Sequence, residues 1–441
     1  MITFENRVGP DLGPSAPAYP TNGVPAWYRD AKFGIFVHWG IYSVPGWATA
    51  DGTSAIEEAY AEHQYAEWYA NTVRVPGSSA GRRHEQLYGT GTTYEDLADR
   101  WSAPAFDPRE WIRIFREAGA QYVVPTTKHH DGFCLWDTAT TGFSSARRGP
   151  RRDVVAEIAS AVRDAGLRLG LYYSGALDWH AGDFPAITSD VELFRHRRND
   201  DEFARYCAVQ LRELIARFSP DVLWNDLEWP DAGKAAGPDS LSTLLAEYFE
   251  AVPDGVVNDR WGVPYHGYLT REYLQVDEVL DRPWEACRGI GRSFGYNSNE
   301  PAKHRLSGTE LVRLLVDVVA KNGNLLLNVG PRPDGTIPAE QLAPLAELGA
   351  WLATHGEAIW ATRPWSEAPP PRGDLRHTAD EHAVYVHTLD PASGSLTVPR
   401  QLAGAELRWL DGPATSAAAD GTVAVPEALR GHAVAVLRAG R

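Results

Sequence analysis

Asp226 closes the run Asp221-Val222-Leu223-Trp224-Asn225-Asp226 and is followed at once by Leu227-Glu228-Trp229-Pro230. A short, continuous apolar run bounded by turn residues reads as a strand covered on both faces. A carboxylate at its carboxyl end is placed as reactive groups are in a β/α barrel, and the flanking indoles of Trp224 and Trp229 are surfaces on which sugar rings stack. Four other strand ends carry groups of the same kind: His38-Trp39, Lys128-His129-His130-Asp131, Tyr172-Tyr173-Ser174 and Asn258-Asp259-Arg260-Trp261. In a barrel these ends open on one face, so residues far apart in the chain would meet in one pocket.

Carboxylates in an aromatic, histidine-rich pocket suit cleavage of a glycosidic bond. Rival chemistries lack their spacing. Adjacent His129 and His130 cannot both point at one ion from a regular strand, and no His-Glu-x-x-His or facial-triad pattern is present, so no catalytic metal is expected. No glycine-rich nest precedes a helix to cradle phosphate, and no elbow presents a serine or cysteine nucleophile. Nothing implies a cofactor.

The elements that must hold these groups alternate along the chain. From about residue 33 to 356, apolar strand runs at Phe33–Trp39, Gln121–Pro125, Leu167–Tyr173, Asp221–Trp224, Gly255–Asn258 and Asn324–Val329 are separated by amphipathic helices, the pattern of βα units around a parallel sheet. Asp107 caps one helix with Pro108 in its first turn, Trp111, Ile114, Phe115 and Ala118 inward and Gly119 as a stop. Another opens at Asp153 with Val154, Ile158, Ala161 and Val162 on its stripe and ends at Gly166; a third, from Thr309 to Ala320, turns Leu311, Leu314, Leu315 and Val318 inward. Reactive-looking groups after several strands, and no phosphate turn after the first, favour a closed barrel over an open doubly wound sheet.

Near Thr362 the texture changes. Pro364, Pro369, Pro370, Pro371 and Gly373 read as a linker, and period-two runs at Ala383–His387, Ser395–Val398, Glu406–Leu410, Val423–Val425 and Ala433–Leu437 read as a small antiparallel β domain. The expected architecture is α/β: a (β/α)8-like barrel catalytic domain over residues 1–362 and a β-sandwich domain over residues 363–441. The 441 residues exceed a single barrel of about 250, which agrees with two domains.

Composition narrows the partners. A net charge of -16 argues against nucleic acid or an anionic membrane, since both demand a basic surface. No run approaches the roughly 18 apolar residues of a membrane span, and residues 1–10 lack a basic stretch followed by an apolar one. Cys134, Cys207 and Cys287 are odd in number and in no ligand spacing, so free thiols in a reducing compartment are expected, and with them a cytoplasmic location. Glu57-Glu58 and Arg147-Arg148 with Arg151-Arg152 read as solvated faces.

Six ordered motifs make the residues specific. Phe33-Gly34-Ile35-Phe36-Val37-His38-Trp39-Gly40, Lys128-His129-His130-Asp131-Gly132-Phe133, Leu171-Tyr172-Tyr173-Ser174, Leu223-Trp224-Asn225-Asp226, Asn258-Asp259-Arg260-Trp261 and Gly289-Ile290-Gly291-Arg292-Ser293-Phe294-Gly295-Tyr296-Asn297 together resemble the alpha-L-fucosidase family, glycoside hydrolase family 29. The likeness runs from about residue 24 to 365. It implies a retaining exo-glycosidase that removes terminal alpha-L-fucose from a fucosylated glycan by double displacement. Asp226 matches the family's nucleophile. The segment Tyr268-Leu269-Thr270-Arg271-Glu272-Tyr273 resembles its acid/base loop and places that role on Glu272. Glu285, in Pro283-Trp284-Glu285-Ala286-Cys287, is the other candidate and is read as bracing the site.

For fucose binding the resemblance carries over His38, Glu67, Trp68, His129, His130, one of Tyr172 and Tyr173 with Tyr172 preferred, Trp224, Arg260 and Phe294. Imidazoles and a carboxylate suit the sugar's three hydroxyls; aromatic faces suit its methyl group and apolar side. Two other readings stay open: a non-catalytic fucose-binding protein, and a glycosidase or transglycosylase for a related sugar such as an alpha-L-galactoside. Linkage preference would lie in the loops from Thr49 to Arg83 and from Ala232 to Ser240.

Overall fold

A computed structural model describes residues 17–20, 22–51, 59–265, 267–274 and 276–440. The readings made for residues 1–10 and for Glu57 and Glu58 lie outside them. Eight strands form one sheet of parallel pairs: β1 Phe33–Val37, β2 Tyr122–Lys128, β3 Arg168–Ser174, β4 Val222–Asp226, β5 Val256–Val257, β6 Leu269–Glu272, β7 Trp284–Gly289 and β8 Gly323–Val329. Their spatial order is β5-β4-β3-β2-β1-β8-β7-β6. This is a (β/α)8-like barrel.

Alternation along each strand splits the apolar residues into two layers. Phe36, Val124, Tyr172, Val222, Trp224 and Leu326 fill the interior. Ile35, Val123, Leu171, Leu223 and Leu327 face outward into the main core beneath the helices. Helices Pro108–Glu117, Val154–Asp164, Asp201–Phe218, Leu241–Ala251 and Gly308–Ala320 each start where an Asp or Ser side chain accepts from a first-turn amide: Asp107, Asp153, Asp200, Ser240 and Ser307. Among the described residues no helix is long and apolar enough to cross a membrane.

Two strands depart from the sequence expectation. Leu269–Glu272, anticipated as a loop, is β6, and β7 was not anticipated. Among the described residues no helix lies between β5 and β6 or between β6 and β7. The inward positions hold Glu272 and Glu285, which interrupt the outward Leu269, Trp284 and Ala286 of the main core, so neither strand shows an apolar run. The β5/β6 seam also lacks a strand ladder. Gly267 N–H donates to the Val257 carbonyl (3.0 Å) and Thr270 N–H to Asp259 Oδ1 (3.0 Å) across it.

After the barrel, β9 Arg363–Pro364, β10 Leu375–Ala379, β11 Ala383–Thr388, β13 Glu406–Trp409, β14 Ala414–Ser416 and β16 Ala435–Gly440 form an antiparallel sheet in the order β14-β13-β16-β11-β10-β9, and β12 Ser395–Thr397 pairs with β15 Thr422–Ala424. Val384, Val386, Leu396, Trp409, Val423 and Leu437 fill the core between the two sheets, a β-sandwich. The opposite face of β11 sends Ala383 and Tyr385 into the barrel's core cluster. Trp351 Nε1–H donates to the Val434 carbonyl (3.0 Å), and Arg376 Nε meets Asp317 Oδ1 (2.5 Å) across the same junction. Pro364, read as linker, is instead in the edge strand, where its missing N–H costs no ladder bond. All three cysteines are free and buried.

Gly34 shows how tightly the interior is filled. A Cβ there would overlap the ring of Tyr122, whose hydroxyl is anchored on Glu285 Oε2 (2.6 Å) and so cannot simply swing aside. Gly34→Ala is expected to destabilise the fold by about 1–3 kcal/mol, seen as a lower urea midpoint at unchanged m-value. An unchanged midpoint would show that the ring is free to move.

Candidate active site

The pleat of β4 turns Val222, Trp224 and Asp226 inward, which sets the Asp226 carboxyl at the strand's mouth. Oδ1 accepts from Arg260 Nη1 (3.0 Å) and from the Leu227 amide (3.0 Å), and Oδ2 accepts from the Tyr172 hydroxyl (2.9 Å). Burial acts to raise this pKa. The Arg260 and His130 charges, with the hydrogen bonds from Arg260 and Tyr172, outweigh it and hold the carboxyl below its ordinary range.

Arg260 is shared. Its Nη2 donates to Glu272 Oε2 (2.8 Å), so one guanidinium spans the carboxyl groups at the ends of β4 and β6. Glu272 Oε1 accepts from the Tyr65 hydroxyl (2.9 Å). Arg260 Nε donates to Thr270 Oγ1 (3.0 Å), whose proton goes to Asp259 Oδ1 (2.7 Å). The guanidinium lies 4.8 Å from the ring centroid of Trp224.

Trp224 rests on the barrel floor through Nε1–H donation to Glu285 Oε1 (2.9 Å), while Glu285 Oε2 accepts from Tyr28 (2.7 Å) and Tyr122 (2.6 Å). Glu285 is 0% exposed. Burial raises its pKa against those donors. Three donors and complete enclosure separate it from Glu272, which lies at the mouth.

The remaining groups converge around Asp226 from the strand ends. His38 Nδ1 lies 2.7 Å from Asn328 Oδ1, and Asn328 Nδ2 donates to the Phe294 carbonyl (2.6 Å). That second bond fixes the amide's orientation, so His38 carries its proton on Nδ1 and keeps an Nε2 lone pair. His130 follows the same logic: Ser174 Oγ donates to the Leu177 carbonyl (2.6 Å) and therefore accepts from His130 Nδ1 (2.7 Å), leaving Nε2 3.8 Å from Asp226 Oδ2. Burial lowers the His38 pKa to about 3, and lowers that of His130 to about 4 despite the pull of Asp226. His129 lies against His130 (ring centroids 4.0 Å apart) and stacks on Tyr172 (5.6 Å). Its Nδ1 is buried with no hydrogen-bond partner among the described residues.

Glu67 sits in a short 3-10 turn, Ala66–Trp68, rather than on an ordinary helix face. Its Oε2 accepts from the Gly295 amide (2.7 Å) and Ser293 Oγ (3.3 Å), and burial raises its pKa to about 7 against the Gly295 amide. Trp68 meets the rings of His130 and Trp179 edge-on (5.7 and 5.3 Å). Phe294 lies beside His38 (5.0 Å), and Tyr172 stacks on Trp224 (5.5 Å).

Neighbours of these residues face away. Tyr173 donates to Gln210 Oε1 (2.8 Å) under the helices, Lys128 pairs with Asp178 (3.0 Å), Asp131 accepts from Tyr94 (2.7 Å), and Trp39 packs among Trp101, Phe106 and Trp111. Among the described residues no group of three or more His, Cys, Asp or Glu is arranged to hold a metal ion. Sequence reasoning missed Tyr65 and Asn328. Tyr65 stands two residues before Glu67, and Asn328 is the inward position at the mouth end of β8; a polar residue there was the available signal.

The two tautomers are testable. Ring-nitrogen NMR at pH 5 should show His38 and His130 neutral and protonated on Nδ1; a doubly protonated ring for either would contradict the network. Since an unfolded histidine titrates near 6.5, the lowered folded values contribute stability that is present above that pH and lost as pH falls from about 6.5 towards 4 and 3.

Comparison with known proteins identifies the family. The family model for alpha-L-fucosidase matches residues 13–357. The alpha-L-fucosidase of Dictyostelium discoideum is 34% identical over 362 residues, covering 80% of this chain and 75% of that protein. Human plasma alpha-L-fucosidase is 33% identical over 402 residues, covering 87% and 80%. The structure of Thermotoga maritima alpha-fucosidase in complex with fucose superposes with a TM-score of 0.86 at 43% identity, over 95% of this chain and 97% of that one; the same enzyme in complex with a mechanism-based inhibitor gives 0.86 at 43% over the same shares. The chain therefore belongs to the alpha-L-fucosidase family and is a glycoside hydrolase of fucosylated glycans.

Proposed function

We propose that the enzyme is a retaining exo-alpha-L-fucosidase with Asp226 as nucleophile and Glu272 as general acid/base. One observation carries this reading: Arg260 donates to both carboxyls at once, 3.0 Å to Asp226 and 2.8 Å to Glu272. Carboxyls separated by one guanidinium suit the close pair of a retaining enzyme, about 5–5.5 Å apart, better than the wider gap that admits a water between them. The Thermotoga maritima relative, solved with fucose and with a mechanism-based inhibitor, supports the substrate and the route.

In the first step a carboxylate oxygen of Asp226 bonds to the anomeric carbon as the bond to the leaving oxygen breaks, and Glu272 gives that oxygen its proton. In the second, water attacks the fucosyl ester, Glu272 takes the water's proton, and Asp226 leaves as the carboxylate. Asp226 is suited to attack because Arg260 and its other donors keep it ionised. We assign the fucose hydroxyls to His38, His129, His130 and Glu67, with Trp68 walling the pocket. Neutral imidazoles offering Nε2 lone pairs can accept from hydroxyls without attracting anions. The methyl group is assigned to the aromatic side formed by Phe294, Phe36, Tyr172 and Trp224.

Azide rescue tests the assignments. With 4-nitrophenyl alpha-L-fucoside, Asp226→Gly should lose activity and give beta-fucosyl azide on adding azide, whereas Glu272→Ala should be rescued to alpha-fucosyl azide. Without azide, Glu272→Ala should fall by about 10²–10⁴-fold in kcat/KM on substrates whose leaving group needs protonation. Near-normal activity in Glu272→Ala would remove it from the reaction. Tyr65→Phe deletes one of the two donors on Glu272. It should lower kcat by about 10- to 100-fold with KM nearly constant, and an unchanged kcat would show that the Tyr65 bond does not orient the acid/base.

A further inference from the structure

Leu227 and Glu228, the two residues directly after Asp226, both have left-handed backbones, with φ of 51° and 66°. They are the only adjacent pair of non-glycine residues with positive φ among the described residues. Each such residue costs on the order of 1 kcal/mol or more unless its surroundings impose it, and such strain gathers at functional sites. The conformation has a direct result here. It swings the Leu227 amide back onto Asp226 Oδ1 (3.0 Å) and the Glu228 amide onto the carbonyl of Arg260 (3.1 Å). One turn thus orients the carboxylate and ties it to the backbone of the guanidinium that spans both carboxyls.

What imposes the turn is a buried charge cluster that touches no catalytic group. Arg197, on the segment before helix Asp201–Phe218, donates from Nη1 to the Leu227 carbonyl (3.3 Å) and from Nη2 to Glu228 Oε2 (3.2 Å). Lys234 Nζ donates to the same Glu228 oxygen (3.1 Å) and to Asp231 Oδ1 (2.7 Å). The side chains of Arg197, Glu228 and Lys234 are 5%, 10% and 2% exposed. Gly262 makes room for them: a Cβ there would stand 2.9 Å from both Glu228 Cγ and Lys234 Nζ. Ion clusters are poor devices for stability alone, because desolvation consumes most of their attraction. Holding a strained turn in one geometry is a use that suits their directionality.

We infer that Arg197, acting through Glu228, is a positioning residue of the reaction: it clamps the left-handed Leu227–Glu228 turn and so keeps the Leu227 amide on the attacking carboxylate. The inference rests on Asp226 being the nucleophile. Arg197→Met is expected to lower kcat by about 10- to 100-fold while KM for an aryl fucoside changes less than about threefold. The acidic limb of the kcat/KM profile should move to higher pH as Asp226 loses a donor to its ionised form. Arg197→Lys, which keeps the charge but not the two-pronged grip, should recover part of kcat.

A double-mutant cycle separates positioning from general damage. In Asp226→Gly rescued by azide there is no carboxylate to orient, so adding Arg197→Met should change the rescued rate less than about threefold. A loss as large as in the parent, or a parent kcat that Arg197→Met and Arg197→Lys both leave unchanged, would overturn the inference. So would a fall in kcat that tracks the folded fraction with no movement of the acidic limb. Failure of azide to rescue Asp226→Gly would instead overturn the nucleophile assignment, and the positioning role with it.

Discussion

One guanidinium holds the site together. Arg260 lies between Asp226 and Glu272, two carboxyls from different strands that would otherwise repel each other in a poorly solvated pocket. Buried charges of this kind are tolerated only when their hydrogen-bonding positions are filled. Arg260 meets that condition with Asp226, Glu272 and Thr270, and its flat face lies over Trp224. The support continues downward, from Trp224 to Glu285 and from Glu285 to Tyr28 and Tyr122 on the barrel floor. The buried Glu285 thereby supports the ring against which the guanidinium between Asp226 and Glu272 lies.

The same bridge crosses the weakest line of the barrel. β5 and β6 share no strand ladder, and no helix connects them among the described residues. Arg260 follows β5 and Glu272 ends β6. Their ion pair, with the Asp259–Thr270 and Arg260–Thr270 hydrogen bonds, stitches the seam that backbone pairing leaves open. Closure of the fold and assembly of the proposed catalytic pair are, to that extent, one set of interactions. Changes at Asp259 or Thr270 would disturb both together.

Where the chain is regular, its sequence announces the structure. Apolar runs marked β1 to β5 and β8, and side-chain caps at Asp107 and Asp153 marked the helices that follow. Asp226 was visible because a carboxylate ending an apolar strand breaks the pattern. β6 and β7 were hidden for the opposite reason: they carry Glu272 and Glu285 inward, which interrupts any apolar run. Among the C-terminal strands, β10 was missed because Leu375–Ala379 carries Arg376 and His377, both buried against their surroundings. For Asn328 the sequence offered only a polar residue ending an apolar strand, and for Tyr65 only its place beside Glu67; their partners lie 290 and 207 residues away. Spacing reveals which residues are unusual; only the fold reveals which of them meet.

The proposed first step is attack of Asp226 on the sugar while Arg260 holds it opposite Glu272. Trapping with a 2-deoxy-2-fluoro-fucosyl fluoride, followed by digestion and peptide mass mapping, examines that step directly. The fluorine slows both formation and breakdown of the glycosyl ester, and the good fluoride leaving group restores only the rate of formation, so the covalent species accumulates. One fluorofucosyl adduct per chain, on Asp226, is expected. An adduct on Glu272 or Glu285, or turnover of the parent substrate with inverted anomeric configuration and no adduct at all, would contradict it.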